Sequence, residues 1–294
     1  MPLHKGKYNL VMIRRLGRIE RYRGCRMKKK EGSLVIITHS DDAAIALGHI
    51  LSKRYLPGPL DVSTVVSFSF HFEESLLPQP SMSTVPEMRL SEDRCFCKGI
   101  GASFYPLGFW DNFGLCKKNE TLSVEAIEDC ILVLIEKLQK AVVVCAYPNG
   151  ITHPHHDLVF RATTSAIGKM KETALFFVDD LPYSRIPVGE KVFCNGIEYT
   201  PVIIELNEEE LDIKFELMKI YKSQLKRSYF EAVSETAPGD VKKRYSETLW
   251  LPKSNKFSEL TKNVYTNISG QEDEEEFEYA QFTHPFKRFC RASA

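Results

Sequence analysis

The sequence predicts an α/β fold in which a mostly parallel sheet carries helices on both faces. Short runs rich in β-branched residues alternate with stretches whose apolar residues recur at helical spacing, the order expected of parallel strands joined by crossover helices. The runs are apolar throughout instead of alternating, which suits strands buried on both sides. Length and composition permit this: 294 residues, 43% hydrophobic and 27% charged, can bury a large core as one big domain or two modest ones.

The elements follow in order. SLVIITHS (33–40) is of strand length, and DDAAIALGHILSKR (41–54) follows with Ala44, Leu47, Ile50 and Leu51 at helical spacing and Asp41 or Asp42 as cap. DVSTVVSFSF (61–70) is the next strand, and the Pro- and Ser-rich LLPQPSMSTVPEM (76–88) is a loop near the expected ligand face. RLSEDRCFCKGIG (89–101) reads as a helix ended by its glycines, then SFYPLGF (103–109) as a short strand. SVEAIEDCILVLIEKLQK (123–140) is the clearest amphipathic helix, opened by Ser123. AVVVCAYP (141–148) is a buried strand, HHDLVFRATTSAIGKM (155–170) a helix, and TALFFVDD (173–180) and TPVIIEL (200–206) further strands. EEELDIKFELMKIYKSQLKRSYFEAV (208–233) reads as one long helix, whereas the segment after Tyr183 has no assignable pattern.

Formal net charge is zero, so no global field recruits nucleic acid, and no nucleic-acid partner is expected. No run approaches the ~20 apolar residues of a spanning helix, and no secretory signal is visible at the N-terminus. Eight scattered cysteines without a CxxC pair argue for reduced thiols and a cytoplasmic location. Charge is nevertheless uneven. Residues 1–30 carry Arg14, Arg15, Arg18, Arg21, Arg23, Arg26 and Lys28–Lys30 against Glu20 alone, a basic extension open to membrane-surface contact. Residues 254–294 form a C-terminal extension with an acidic run from Glu272 to Glu278, leaving 31–253 as the central domain.

Two stretches carry chemistry. His39-Ser40-Asp41-Asp42 follows the first strand, and ITHPHHD (151–157), with His153, His155 and His156, follows the AVVVCAYP strand. In open α/β sheets ligands bind at the carboxyl ends of strands, beside the point where strand order reverses. Three ligands from a His/His/Asp set with one open position make a catalytic metal site. A bound divalent ion lowers the pKa of its water toward neutrality, a carboxylate beyond the ligands can take a proton, and a spare His can protonate a leaving group. That inventory suits hydrolysis of an amide or ester. Each stretch alone also reads as a polar helix cap.

From about residue 33 to about residue 251 the sequence resembles the LmbE/PIG-L family of zinc-dependent N-acetyl-sugar deacetylases. THSDDAAIALGHIL looks like the family's strand, His-Pro-Asp-Asp and helix; MRLSEDRCFCKGIGASFYPLGFWDN (88–112) resembles its second block; THPHHDLVFRA (152–162) resembles its His-Pro-Asp-His block; LDIKFELMKIYKSQLK (211–226) looks like its late helix. The resemblance implies a Rossmann-like three-layer sandwich and removal of acetyl from an N-acetylglucosamine-type conjugate. It implies that His39, Asp42 and His156 bind Zn²⁺ (Fe²⁺ also suits the set), with Asp41 as general base and His153 as the second catalytic group. Arg89 and Asp111 match positions that contact the sugar. The expected partner is a small-molecule or oligosaccharide N-acetyl-sugar, and a homo-oligomer is compatible with the sequence.

Some positions depart from the family pattern. Ser40 replaces Pro, Ala43 replaces Glu, and His155 stands where Asp or Asn is common. Ile151 offers no hydroxyl beside His153, which leaves Tyr147 and Tyr183 as candidates to assist an oxyanion. These departures leave a second reading open, a non-catalytic carbohydrate- or sugar-nucleotide-binding protein on the same scaffold. A dinucleotide site is weaker, because KGIGASF (98–104) ends a helix instead of opening one after a strand.

Overall fold

The computed structural model describes residues 30–73, 80–81, 83–111, 122–149, 153–183, 185–186, 189–234 and 245–270. The basic stretch up to residue 29, the acidic run and Ile151 lie outside them. Eight strands form one sheet: β1 (Ser33–Ile37), β2 (Leu60–Thr64), β3 (Ser103–Phe104), β4 (Val142–Tyr147), β5 (Ala174–Asp179), β6 (Val192–Cys194), β7 (Ile197–Leu206) and β8 (Tyr245–Pro252). Their spatial order is β3-β2-β1-β4-β5-β8-β7-β6. From β3 to β5 the pairing is parallel, and β8, β7 and β6 add an antiparallel edge. Strand order reverses between β1 and β4, so their carboxyl ends frame the ligand position of the fold.

Side-chain alternation makes two cores. Val35, Val142, Val144 and Phe176 face one side, with α1 (Asp42–Ser52) and α2 (Val85–Gly99) packed over them. Leu34, Val143, Leu175 and Phe177 face the other, under α3 (Val124–Leu138) and α4 (Pro154–Gly168). Each fully buried Leu, Val or Phe contributes about 1.5–3 kcal/mol, so the sheet is fixed from both faces. The helix starts are chemically marked. Ser123 accepts the Ala126 N–H at 3.1 Å, and Asn207 with Glu210 forms a reciprocal capping box at the start of α5 (Glu208–Met218).

Several elements differ from expectation: the strand expected over 61–70 is regular only at Leu60–Thr64, and α2 begins at Val85, inside the expected 76–88 loop. The long helix at 208–233 is two, α5 and α6 (Arg227–Ser234), because the Ser223 N–H donates to Glu92 Oε1 at 2.9 Å instead of continuing the helix, while the Ser223 carbonyl accepts from the Glu73 N–H at 2.7 Å. The expected 103–109 strand is regular only at Ser103–Phe104; Pro106 supplies no N–H, although Leu107 and Phe109 still bond to the β2 edge. The unassigned segment holds the β6–β7 hairpin, turned by Asn195-Gly196 with φ of 49° and 75°. Both positive values are what a two-residue type I′ turn requires. Residues 254–270 include α7 (Ser258–Ser269), whose Val264 is fully buried in the first core. A buried Lys214–Glu247 ion pair (2.7 Å) ties α5 to β8, and the same carboxylate accepts the His49 and Ile50 N–H groups of α1. Among the described residues no helix is long and apolar enough to cross a membrane.

Candidate active site

The turn after β1 is shaped by its own polar groups. The Asp41 carbonyl accepts the first N–H groups of α1 while its carboxylate takes no part in capping. Asp42 Oδ2 accepts the His39 N–H at 2.7 Å, which folds the turn back on itself. Ser40 is buried and donates to Asp93 Oδ2 at 3.0 Å, an acceptor shared with Thr64 at 3.2 Å, so α2 anchors the turn from below. After β4, His153 caps α4: its Nδ1 accepts the His155 N–H at 3.3 Å, and Pro154 takes the first helical position, where a missing N–H costs nothing. Because β1 and β4 are neighbours, the two turns lie side by side.

The structure brings His39, Asp42 and His156 together. His39 Nδ1 is 3.1 Å from His156 Nε2 and 3.8 Å from Asp42 Oδ2, and His156 Nε2 is 3.5 Å from Asp42 Oδ2. Behind this trio, His156 Nδ1 lies 2.5 Å from Asp180 Oδ1. That carboxylate can only accept, so Nδ1 carries the proton and the Nε2 lone pair points at His39 and Asp42. His39 Nε2 is 3.1 Å from His155 Nδ1. If that contact carries the His39 proton, Nδ1 is likewise left as a lone pair. Two imidazoles and one carboxylate thus converge as donors on one point, a set that fits a tetrahedral ion with an open position.

The electrostatics favour a cation. Burial raises the pKa of Asp42 to about 7, opposed by His156 and reinforced by Asp41. Burial also raises Asp41, with Arg89 the strongest opposing influence. His39 is pushed well below its ordinary value by burial, then by His156 and Arg89. Burial and His156 lower His153, leaving it neutral near pH 7. For His156, burial lowers the value but the Asp42 and Asp180 carboxylates outweigh it, and the net shift is upward. Buried carboxylates this close repel one another unless a positive charge lies between them.

The other expected residues separate. Arg89 is only 2% exposed and donates to Gln224 Oε1, and its charge acts on both Asp41 and His39. Asp111 sits at the end of the edge segment, where Oδ2 accepts from Ser69 at 2.9 Å beside the stacked Phe68 and Trp110 rings. Of the two tyrosines, Tyr183 borders the site, its ring centroid 4.9 Å from that of His156; Tyr147 packs against Phe160 and Phe177. Sequence reasoning did not find Asp180 or Asp93. Asp179-Asp180 at the end of a buried apolar strand was the available signal for the first; nothing local marked the second.

Comparison with known proteins points to the stretch of chain that carries these turns. A profile of the family described as PIG-L, GlcNAc-PI de-N-acetylase, matches residues 34–167, which span both turns. A Bacillus cereus protein described as a probable N-acetyl-alpha-D-glucosaminyl L-malate deacetylase is 25% identical over 226 residues, covering 74% of this chain and 93% of its own. Among solved structures, the zinc-inhibited form of teicoplanin deacetylase superimposes with a TM-score of 0.57 at 19% identity, over 76% of this chain and 99% of the other. The N,N'-diacetylchitobiose deacetylase of Pyrococcus horikoshii superimposes with a TM-score of 0.52 at 14% identity, over 86% of this chain and 94% of the other. These two likenesses concern the fold. The match to the PIG-L profile thus covers the stretch of sequence that carries both adjoining turns, and it is to this family that the chain is similar.

Proposed function

We propose that this chain is a metal-dependent hydrolase that removes the N-acetyl group from an N-acetylglucosamine-type conjugate. The observation that carries the reading is the convergence of His39 Nδ1, Asp42 Oδ2 and His156 Nε2 beside an uncapped buried carboxylate, Asp41. Those three atoms would hold the ion, Zn²⁺ or Fe²⁺. When bound, it would supply a Lewis acid for the acetyl carbonyl and acidify a water molecule. Asp41 takes the proton from the attacking water, and the raised affinity that burial gives its carboxylate suits that task. Asp41 then returns that proton to the departing amine, while His153, neutral and half-buried at the head of α4 with its Nδ1 accepting the His155 N–H, keeps its ring proton on Nε2 to donate a hydrogen bond to the oxyanion. Arg89 limits the build-up of negative charge around Asp41. Asp111 and Arg89 are the proposed sugar contacts, Arg89 being the deeply buried one of the two. Asp180 and His155 hold the two ligand rings in the tautomers the ion needs.

A relative is named for N-acetyl-alpha-D-glucosaminyl L-malate and the matching family for GlcNAc-PI, which sets the first substrates to try. The test is acetate release from both by the zinc-loaded chain, with zinc measured per chain. The expected result is turnover of at least one. Tight binding of the N-acetyl compounds without acetate release would instead support a non-catalytic binding protein.

A further inference from the structure

The His39 ring is flanked on both sides. Nδ1 faces the His/His/Asp group, and Nε2 stands 3.1 Å from His155 Nδ1, a separation that a proton or a metal ion can bridge. His153 closes a second group: His39, His153 and His155 each present a ring nitrogen within 4.8 Å of the others. Their rings are tilted, at 79°, 48° and 72° pairwise, so they converge edge-on instead of stacking. His39 is common to both groups and His155 is as buried as His156, but His153 is half-buried where Asp42 is buried, so His153 opens this group toward solvent. The Asp111 charge acts on both His153 and His155 and would offset added positive charge there.

We infer that His39, His153 and His155 form a second divalent-cation site, outward of the first and sharing His39 with it. Three imidazoles without a carboxylate select Zn²⁺ or Cu²⁺ over Mg²⁺ or Ca²⁺, and an ion here binds more weakly than the first because it loads beside a cation already held through His39. With only the inner group loaded, the His39 Nε2–H is shared with His155. The second ion replaces that proton, which leaves to solvent, and His39 then bridges the two ions as an imidazolate. The site exists because His155 stands where the family pattern has Asp or Asn. One consequence rests on the proposed function: an ion held by His153 takes the place of its Nε2 proton and removes that hydrogen bond from the oxyanion, so excess zinc inhibits.

The metal-stripped full chain is dialysed against zinc chloride and bound zinc is counted by mass spectrometry. The expected result is two zinc ions per wild-type chain, the second at least ~10-fold weaker. His155→Asn, whose side-chain carbonyl can still accept the His39 proton, should bind one. His153→Asn is the second variant, and circular dichroism checks that both fold. One zinc in the wild type overturns the outer site and leaves the inner one standing, and no zinc overturns both. A second zinc that survives in both variants, at a site elsewhere on the surface, also overturns the proposal.

Discussion

Asp180 holds His156 from behind at 2.5 Å, so a single buried carboxylate decides which nitrogen of that ring is a lone pair. Asp180→Asn should therefore weaken zinc binding by ~10–100-fold while leaving the three ligands in place, measured by competition with a chelator. Asp41→Asn separates the roles on the other turn. Its carboxylate is absent from the convergent set, so zinc content should hold while acetate release falls by ~10²–10⁴-fold, read from single-turnover rates. At this scale the sequence was legible where chemistry is unusual for its place: a His and two Asp after a strand, three His opening a helix. It was silent where a role is conferred by a neighbour distant in the chain. Asp180 reads as a strand end until β5 is known to lie beside β4. Arg89 reads as an exposed helix residue until Gln224, far along the chain, covers it.

At the scale of elements, the junction of α2 with the 219–226 segment shows why the rest was hidden. Strands β1, β4 and β5 and helices α1, α3 and α4 declare themselves by local periodicity, and their ends fall within a few residues of expectation. The break between α5 and α6 is tertiary: Glu92 on α2 captures both the N–H and the hydroxyl of Ser223. Helical spacing continues through the segment, so periodicity could not reveal it. The β6–β7 hairpin is a different case, since Asn195-Gly196 was a readable turn signal between strands too short to show a pattern. Glu92 also makes this junction pH-sensitive. Burial raises its pKa from 4.5 to about 7 against the two Ser223 bonds, so the folded chain binds the proton more tightly than the unfolded one. Its stabilising contribution is thus full below about pH 4.5 and is lost as pH rises through about 7, a change on the order of 2–3 kcal/mol. In Glu92→Gln the slope should fall by that share, leaving the part that Asp41, Asp42 and Asp93 contribute. Urea unfolding of the metal-free protein at several pH values reads it directly, and an unchanged slope in the variant would count against Glu92 as its source.

For the whole molecule, the site and the fold are linked through the sheet. The two turns that carry His39, Asp42 and His156 come from adjacent parallel strands, each buried on both faces, so the ligands are in place only when β1 and β4 are paired. The unfolded chain separates them by more than a hundred residues. An ion that binds only the folded arrangement must then stabilise the whole domain by mass action, by about 2.7 kcal/mol at a free concentration ~100-fold above Kd. In a domain of this size that corresponds to a rise in Tm of about 5–10 °C. The metal-stripped chain should show this rise on addition of zinc in a thermal melt. His156→Asn should show almost none. Without metal, that variant should melt no lower than the wild type by more than the Asp180 contact accounts for, since the ring it removes lies against polar groups and Tyr183 instead of in either apolar core. A Tm that ignores zinc in the wild type would mean that the three donor atoms converge without binding an ion, and the hydrolytic reading would fail with it.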